Sequence, residues 1–137
     1  MKCIKMSDKN KLAKYEELLN KKAFAHLSTI MPDGSPQTTP VWFDFQDDVI
    51  RINTAVGRQK DKNMRRSPKV ALSIQDPDNP YSYVAIRGEI LEKTEKGADE
   101  HIDSLAQKYM GIEKYPYRTP TETRIIYKIK PLSVSGL

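Results

Sequence analysis

The stretch Val49–Pro68, VIRINTAVGRQKDKNMRRSP, decides how this chain reads. From Val49 to Thr54 the residues alternate, with Ile50 and Ile52 on one face and Arg51 and Asn53 on the other, which is the period of a half-buried strand. Gly57 breaks that strand. Gln59 to Arg66 then reads as a short helix, stopped by Ser67 and Pro68 because the residue before a proline disfavours helical backbone. Only Met64 gives the helix an apolar face, so it is an insertion between strands.

The same stretch holds most of the charge asymmetry. Between Arg51 and Arg66 stand Arg51, Arg58, Lys60, Lys62, Arg65 and Arg66 against Asp61 alone, a surplus of five that equals the net charge of the whole chain, +5. A helix start presents unpaired N–H groups and a partial positive charge, so an anion placed there gains hydrogen bonds and a favourable field. Arg58 and Lys60 add full charges at that point, one as a planar fork and one as a flexible point charge. Asn53 and Thr54 supply neutral donors just before the turn. The competing account is that the charges only solvate a short helix. It is the better account of Lys62, Arg65 and Arg66, which lie further along and retain at most a steering role.

Working outward, Phe24 to Ile30 reads as a strand, the cluster Pro32-Asp33-Gly34-Ser35-Pro36 as a turn, and Gln37 to Phe45 as one long second strand. Asp47 and Asp48 turn the chain into the Val49 strand. Beyond the helix, Val70, Leu72 and Ile74 mark a fourth strand, and a turn at Pro77 to Pro80 leads to a fifth from about Ser82 to Lys93. Ile102, Leu105, Ala106 and Tyr109 predict a helix over Gly97–Met110, closed by Gly111. A last strand from about Arg124 to Ser135 is bent at Pro131, which suits an edge or the point where pairing ends. Before all of these, Leu12, Tyr15, Leu18 and Leu19 have helical spacing behind a cap at Ser7 or Asp8. The expected fold is mainly β: a six-stranded antiparallel barrel with two peripheral helices and one short inserted helix. Nothing alternates as β-α-β, and no glycine-rich dinucleotide fingerprint is present.

A chain of 137 residues suits one domain, residues 1–137, that needs no staple. The only cysteine, Cys3, cannot form an internal disulfide, and no Cys/His cluster has metal-ligand spacing. With no apolar run of membrane length and no leader-like start, the expected location is cytoplasmic. His26 and His101 have no triad partner in sequence, and the charged helix face around His101 predicts solvent exposure. Two roles are open to Trp42, the single tryptophan: an apolar wall for a planar ring, or burial in a subunit interface. Tyr81, Tyr83, Tyr115 and Tyr117 lie near loops, where packing is their usual role. A nucleic-acid-binding barrel is disfavoured because the basic segment contains no aromatic to stack on bases.

Three blocks carry a family resemblance: Ala25–Phe43 (AHLSTIMPDGSPQTTPVWF), Gly57–Leu72 (GRQKDKNMRRSPKVAL) and Asp76–Glu89 (DPDNPYSYVAIRGE). Together they resemble the flavin-binding split β-barrels related to pyridoxamine 5'-phosphate oxidase, and within them the branch of coenzyme F420 (deazaflavin)-dependent reductases. The resemblance implies a homodimer with two cofactor grooves between subunits, acting on a small-molecule substrate. By position it implies that Arg58 and Lys60 hold the cofactor phosphate, with Asn53, Thr54 and Asn63 nearby. Gln37, Pro40, Val41 and Trp42 match the strand along the isoalloxazine or deazaflavin ring. It also implies hydride transfer from the reduced ring to an unsaturated acceptor, the protein supplying position and electrostatics. No proton donor is assigned. Coenzyme F420 is favoured over FMN, partly because its acidic tail suits the extra cations Lys62, Arg65 and Arg66. A flavin or haem carrier without turnover is the alternative within the fold.

Overall fold

A computed structural model describes residues 12–137. The cap expected at Ser7 or Asp8, and Cys3, lie outside the described residues. In chain order the elements are α1 (Glu16–Leu19), β1 (Ala25–Ile30), β2 (Pro36–Val41), β3 (Phe43–Gln46), β4 (Val49–Ala55), α2 (Gln59–Arg66), β5 (Lys69–Asp76), β6 (Asn79–Thr94), α3 (Ala98–Met110) and β7 (Arg124–Gly136). The strands form one antiparallel sheet in the order β2-β1-β5-β6-β7-β4-β3. No helix among the described residues is long and apolar enough to cross a membrane.

The sheet has seven strands where the sequence predicts six. The long second strand is interrupted at Trp42: up to Val41 it pairs with β1, and from Phe43 it pairs with β4. β2 and β3 are therefore the two edges of the sheet, and they are consecutive in the chain. Only a curled sheet lets one residue connect its two edges, so the interruption closes the half-barrel. The alternation Val41, Phe43, Phe45 runs straight through the break, because the partner strand changes and the side-chain phase does not.

The β3–β4 hairpin turns on Asp47 and Asp48, both at positive φ (54° and 64°). Two left-handed residues make the tight turn whose twist matches antiparallel strands. Inside the curl, Leu27, Phe43, Ile50, Ile52, Leu72, Ile74, Ile86, Tyr127 and Ile129 are buried together, with Leu12, Leu18 and Leu19 at one end and Met64 of α2 among them. α3 packs on β7 and β4, and α2 on β1 and β4. β4 thus lies under both helices, which fixes the ground on which its polar residues meet.

Pro131 does not sit on an edge, since β7 is a central strand. Pairing to β4 ends at Ile129, while pairing to β6 continues to Gly136 through a register shift that skips Leu132. The missing N–H of Pro131 thus falls where the β4 ladder has stopped. Gly88 stands opposite Pro131, where a Cβ would lie 2.6 Å from the Lys130 carbonyl oxygen; the close passage requires glycine.

On the outer face, cross-strand neighbours form two rows in which Ser and Ala predominate beside Arg87 and His26. Ser28, Ala71, Arg87 and Ser133 align in one row, and His26, Ser73, Ala85 and Ser135 in the next. A groove of about 470 Å³ runs over them.

Candidate anion-binding site

The site begins with a turn locked from below. Gly57, at φ 96°, donates its N–H to Asp61 Oδ2 (2.9 Å). Asp61 Oδ1 accepts from the Tyr127 hydroxyl (2.6 Å) and from Arg65 Nε (2.9 Å). Asp61 is 1% exposed. Burial pushes its carboxyl up, but the Gly57 N–H, the Tyr127 hydroxyl and Arg65 outweigh burial and hold it below the ordinary carboxylate range. Desolvation, followed by Asp61 itself, pushes the Tyr127 hydroxyl well above its ordinary value. Asn63 completes the lock: its amide donates to Thr29 Oγ1 (3.0 Å) and Met31 Sδ (3.3 Å) and accepts from Gln59 (2.8 Å) and Arg66 (3.2 Å). Arg66 also donates to the Ile30 carbonyl.

Above the lock, the start of α2 is open. Arg58 is its N-cap in extended backbone and makes no side-chain cap bond, so first-turn N–H groups have no side-chain acceptor. Three cations meet here. Arg124 is buried; it donates from Nε to Asn53 Oδ1 (2.8 Å) and from Nη1 to Glu122 Oε1 (2.6 Å). Arg58 Nη2 lies 3.5 Å from Glu122 Oε2, its side chain half exposed. Lys60 has no acceptor among the described residues. Burial lowers its pKa, and the neighbouring charges of Arg58 and Arg124 lower it further. Arg58 and Arg124 thus share the one carboxylate of Glu122, and Lys60 adds a third positive charge beside them. Such a deficit of negative charge favours an anion.

The structure brings Asn53, Arg58 and Lys60 together on one side of the Gly57 turn. It sends two of the expected residues elsewhere. Thr54 turns inward with Ile50 and Ile52, and its Oγ1 is buried without a partner among the described residues. Asn63 is 0% exposed and its amide is committed to the lock. Of the outlying cations, Arg51 is bidentate on Asp44 (2.8 and 2.6 Å), Arg65 is paired with Asp61, and Arg66 is held by Ile30 and Asn63.

His101, expected in solvent, is 4% exposed. Its Nδ1 lies 3.1 Å from Asn53 Nδ2 and its Nε2 lies 3.2 Å from Asp44 Oδ2. The Asn53 amide also donates to the Ala98 carbonyl (2.9 Å), so His101 Nδ1 accepts and Nε2 carries the proton toward Asp44. His101 therefore lies on the docking face with Ala98, Ile102, Leu105 and Ala106, while its charged neighbours Asp99 and Glu100 stay exposed; its polar partners come from β3 and β4. Burial works against the Asp44 carboxylate, but His101 and Arg51 prevail and hold it at about 2.

Trp42 stacks on Tyr109 (centroids 5.2 Å apart, planes 3° apart) and meets the edge of Tyr115, which in turn meets Tyr117. Its ring is thus engaged within its own chain. The Arg124 guanidinium lies 5.2 Å from the Tyr115 ring, which joins this aromatic group to the cations. The Tyr109 hydroxyl donates to the Ala23 carbonyl (2.6 Å), and burial raises its pKa to about 12. On β2, Gln37 and Val41 are half-buried on one face, and Pro40 is exposed on the other.

Arg124, Glu122, Asp61 and Tyr127 belong to this region, and none of them stands out as a site residue in the sequence. Asp61 carried a local signal, an acid in the first turn of a helix behind a glycine. The others come from 60 or more residues away and left none.

An antiparallel split barrel with a cluster of cations at the strand-to-helix turn is the class of protein these features define. The family model for pyridoxamine 5'-phosphate oxidase matches residues 12–137, and the chain belongs to that family, one of flavin-type oxidoreductases. Among solved structures it is similar to an F420 reductase, at 32% identity and a TM-score of 0.78, over 88% of this chain and 95% of that one. A conserved hypothetical protein from Mycobacterium tuberculosis is 26% identical, with a TM-score of 0.72, over 90% of this chain and 82% of that one. HupZ of Group A Streptococcus, at 19% identity and a TM-score of 0.66 over 91% and 92%, shares the fold. The donor set fits the phosphate of a flavin-type cofactor: a helix start without a side-chain cap, with Arg58 beside it and Lys60, which has no acceptor among the described residues.

Proposed function

We propose that this chain is an oxidoreductase that binds coenzyme F420, with FMN as the alternative, and passes a hydride to an unsaturated small molecule. The observation that carries the reading is the surplus of cations around Glu122. The relative named F420 reductase supports the deazaflavin over FMN. Arg58 and Lys60 hold the phosphate, and Asn53 holds Arg124 behind them. Gln37 and Val41 border the ring, with Trp42 at the end of that strand. When bound, the cofactor supplies the redox chemistry; the protein positions it and excludes water.

The functional unit is a homodimer. Apart from Arg87 and His26, the side chains of the outer rows Ser28–Ala71–Arg87–Ser133 and His26–Ser73–Ala85–Ser135 are Ser or Ala, and such short side chains support the dimer by letting a second surface approach closely.

The test is titration of the purified protein with coenzyme F420 and with FMN, repeated on Arg58→Ala/Lys60→Ala. Binding tighter than about millimolar, roughly −4 kcal/mol, is expected for at least one cofactor and is weakened by about a hundredfold in the double variant. No binding by either sinks the reading. Undiminished binding in the double variant sinks the phosphate assignment alone. Turnover of the reduced cofactor with electron-poor acceptors, quinones and biliverdin among them, separates an enzyme from a carrier.

A further inference from the structure

Glu122 is an unexpected residue to find in an anion site. It is not a dangling surface acid: its side chain is 11% exposed, and the segment carrying it is stapled to the Gly57 turn by the hydrogen bond from Val56 N to the Thr123 carbonyl (2.8 Å). Its two oxygens divide the work. Oε1 accepts from Arg124 at 2.6 Å, and Oε2 is turned to Arg58 at 3.5 Å, too long for a good hydrogen bond but within ion-pair range. Arg124 is thereby satisfied. Arg58, half exposed, is left to grip something else while a fixed negative charge sits at its side.

We propose that Glu122 determines specificity at this site by favouring a singly charged phosphodiester over a doubly charged phosphomonoester. The proposal rests on the functional reading above and deepens it. An anion held by Arg58 lies about one guanidinium width from the Glu122 carboxylate, so each negative charge on the ligand meets that repulsion. A monoester carries nearly two charges above its second pKa of about 6, and a diester carries one. The second charge is attracted by Arg58, Lys60 and Arg124 and repelled by Glu122, so Glu122 reduces the advantage that the cations alone would give the monoester. FMN is a monoester. The phosphate of coenzyme F420 is a diester, with the acidic tail on its second ester oxygen, so Glu122 tilts the site towards the deazaflavin without any contact to the ring.

The probes that isolate this effect share one ring: FMN and its phosphate methyl ester, which differ by a methyl group and one charge. Both are titrated at pH 8 by quenching of flavin fluorescence, against the wild type and Glu122→Gln, a variant that keeps the carbonyl facing Arg124. In the wild type FMN is expected to bind more tightly than the methyl ester by less than about tenfold, because Glu122 offsets much of the cations' pull on the second charge. In Glu122→Gln the ratio of the two dissociation constants shifts by roughly tenfold in favour of FMN. Equal changes for both ligands, or a wild type that prefers FMN by more than tenfold, overturn the role of Glu122. The wild-type comparison stands even if the variant does not fold. Should coenzyme F420 bind while neither flavin binds either protein, selectivity lies in the ring and the proposal falls. If coenzyme F420 fails as well, the functional reading falls first.

Discussion

The two sides of helix α2 are built from the same basic sequence and treat charge in opposite ways. On the inner side Asp61 and Asn63 are buried, and each has its hydrogen-bonding capacity met by Gly57, Tyr127, Arg65, Thr29, Met31, Gln59 and Arg66. On the outer side Arg58 and Arg124 share the one carboxylate of Glu122, and Lys60 stands beside them with no acceptor among the described residues. A satisfied network specifies structure, because each member is costly to remove. An unsatisfied one stores a demand for a ligand. The contrast teaches that a charge count locates a binding segment, whereas the accounting of partners locates the site within it.

The hardest way to break the comparison is to open the lock. Asp61→Ala leaves the Gly57 N–H, the Tyr127 hydroxyl and Arg65 without their acceptor, and a loss of about 3 kcal/mol of stability is expected in urea unfolding. Tyr127→Phe removes one of the three bonds and should cost about 1 kcal/mol. The outer side should behave in the opposite sense. Arg58→Ala/Lys60→Ala is expected to weaken cofactor binding by about a hundredfold, on the scale of two charge-assisted hydrogen bonds, with an unchanged melting temperature.

A third, smaller effect concerns acid. The folded-state pKa of Asp44 is depressed from 3.8 to about 2, so its stabilisation is present above the unfolded value and is lost as pH falls through the folded one. Wild type should lose about 2 kcal/mol more than Asp44→Asn between pH 4 and pH 2, as read by chemical unfolding at each pH. The smallest effect is the sharpest for the comparison. Lys60→Met removes a half-buried cation held among like charges, and the apo protein should gain about 0.5 kcal/mol while losing cofactor affinity. A loss of stability in that variant shows that Lys60 belongs with the satisfied side.

What was legible in the sequence follows the same division. The limits of α2, Gln59 to Arg66, could be read because Gly57 and the Ser67-Pro68 pair punctuate the chain locally. The break at Trp42 could not, since a change of partner strand leaves the period of two intact. His101 looked exposed because its neighbours on α3 are charged, and its burial depends on Asp44 and Asn53, which are 57 and 48 residues away. Arg124 and Glu122 were unreadable for the same reason. Asn63 was associated with the phosphate by resemblance, yet its side chain is turned beneath the turn, where it sets the shape of the pocket from the inside.

One feature of the sheet bears on how the protein is made. β7 inserts between β6 and β4, and it delivers Tyr127 to the lock and Arg124 to the cation cluster. During synthesis β4 and α2 emerge about seventy residues ahead of these partners, and the pairings that complete the site are long-range and slow to form. Nascent chains and half-folded ones therefore have the basic segment but not the pocket. On the proposed function, a cofactor that binds only the finished sheet would stabilise it by mass action, so its concentration would also govern how much of the chain survives as folded protein.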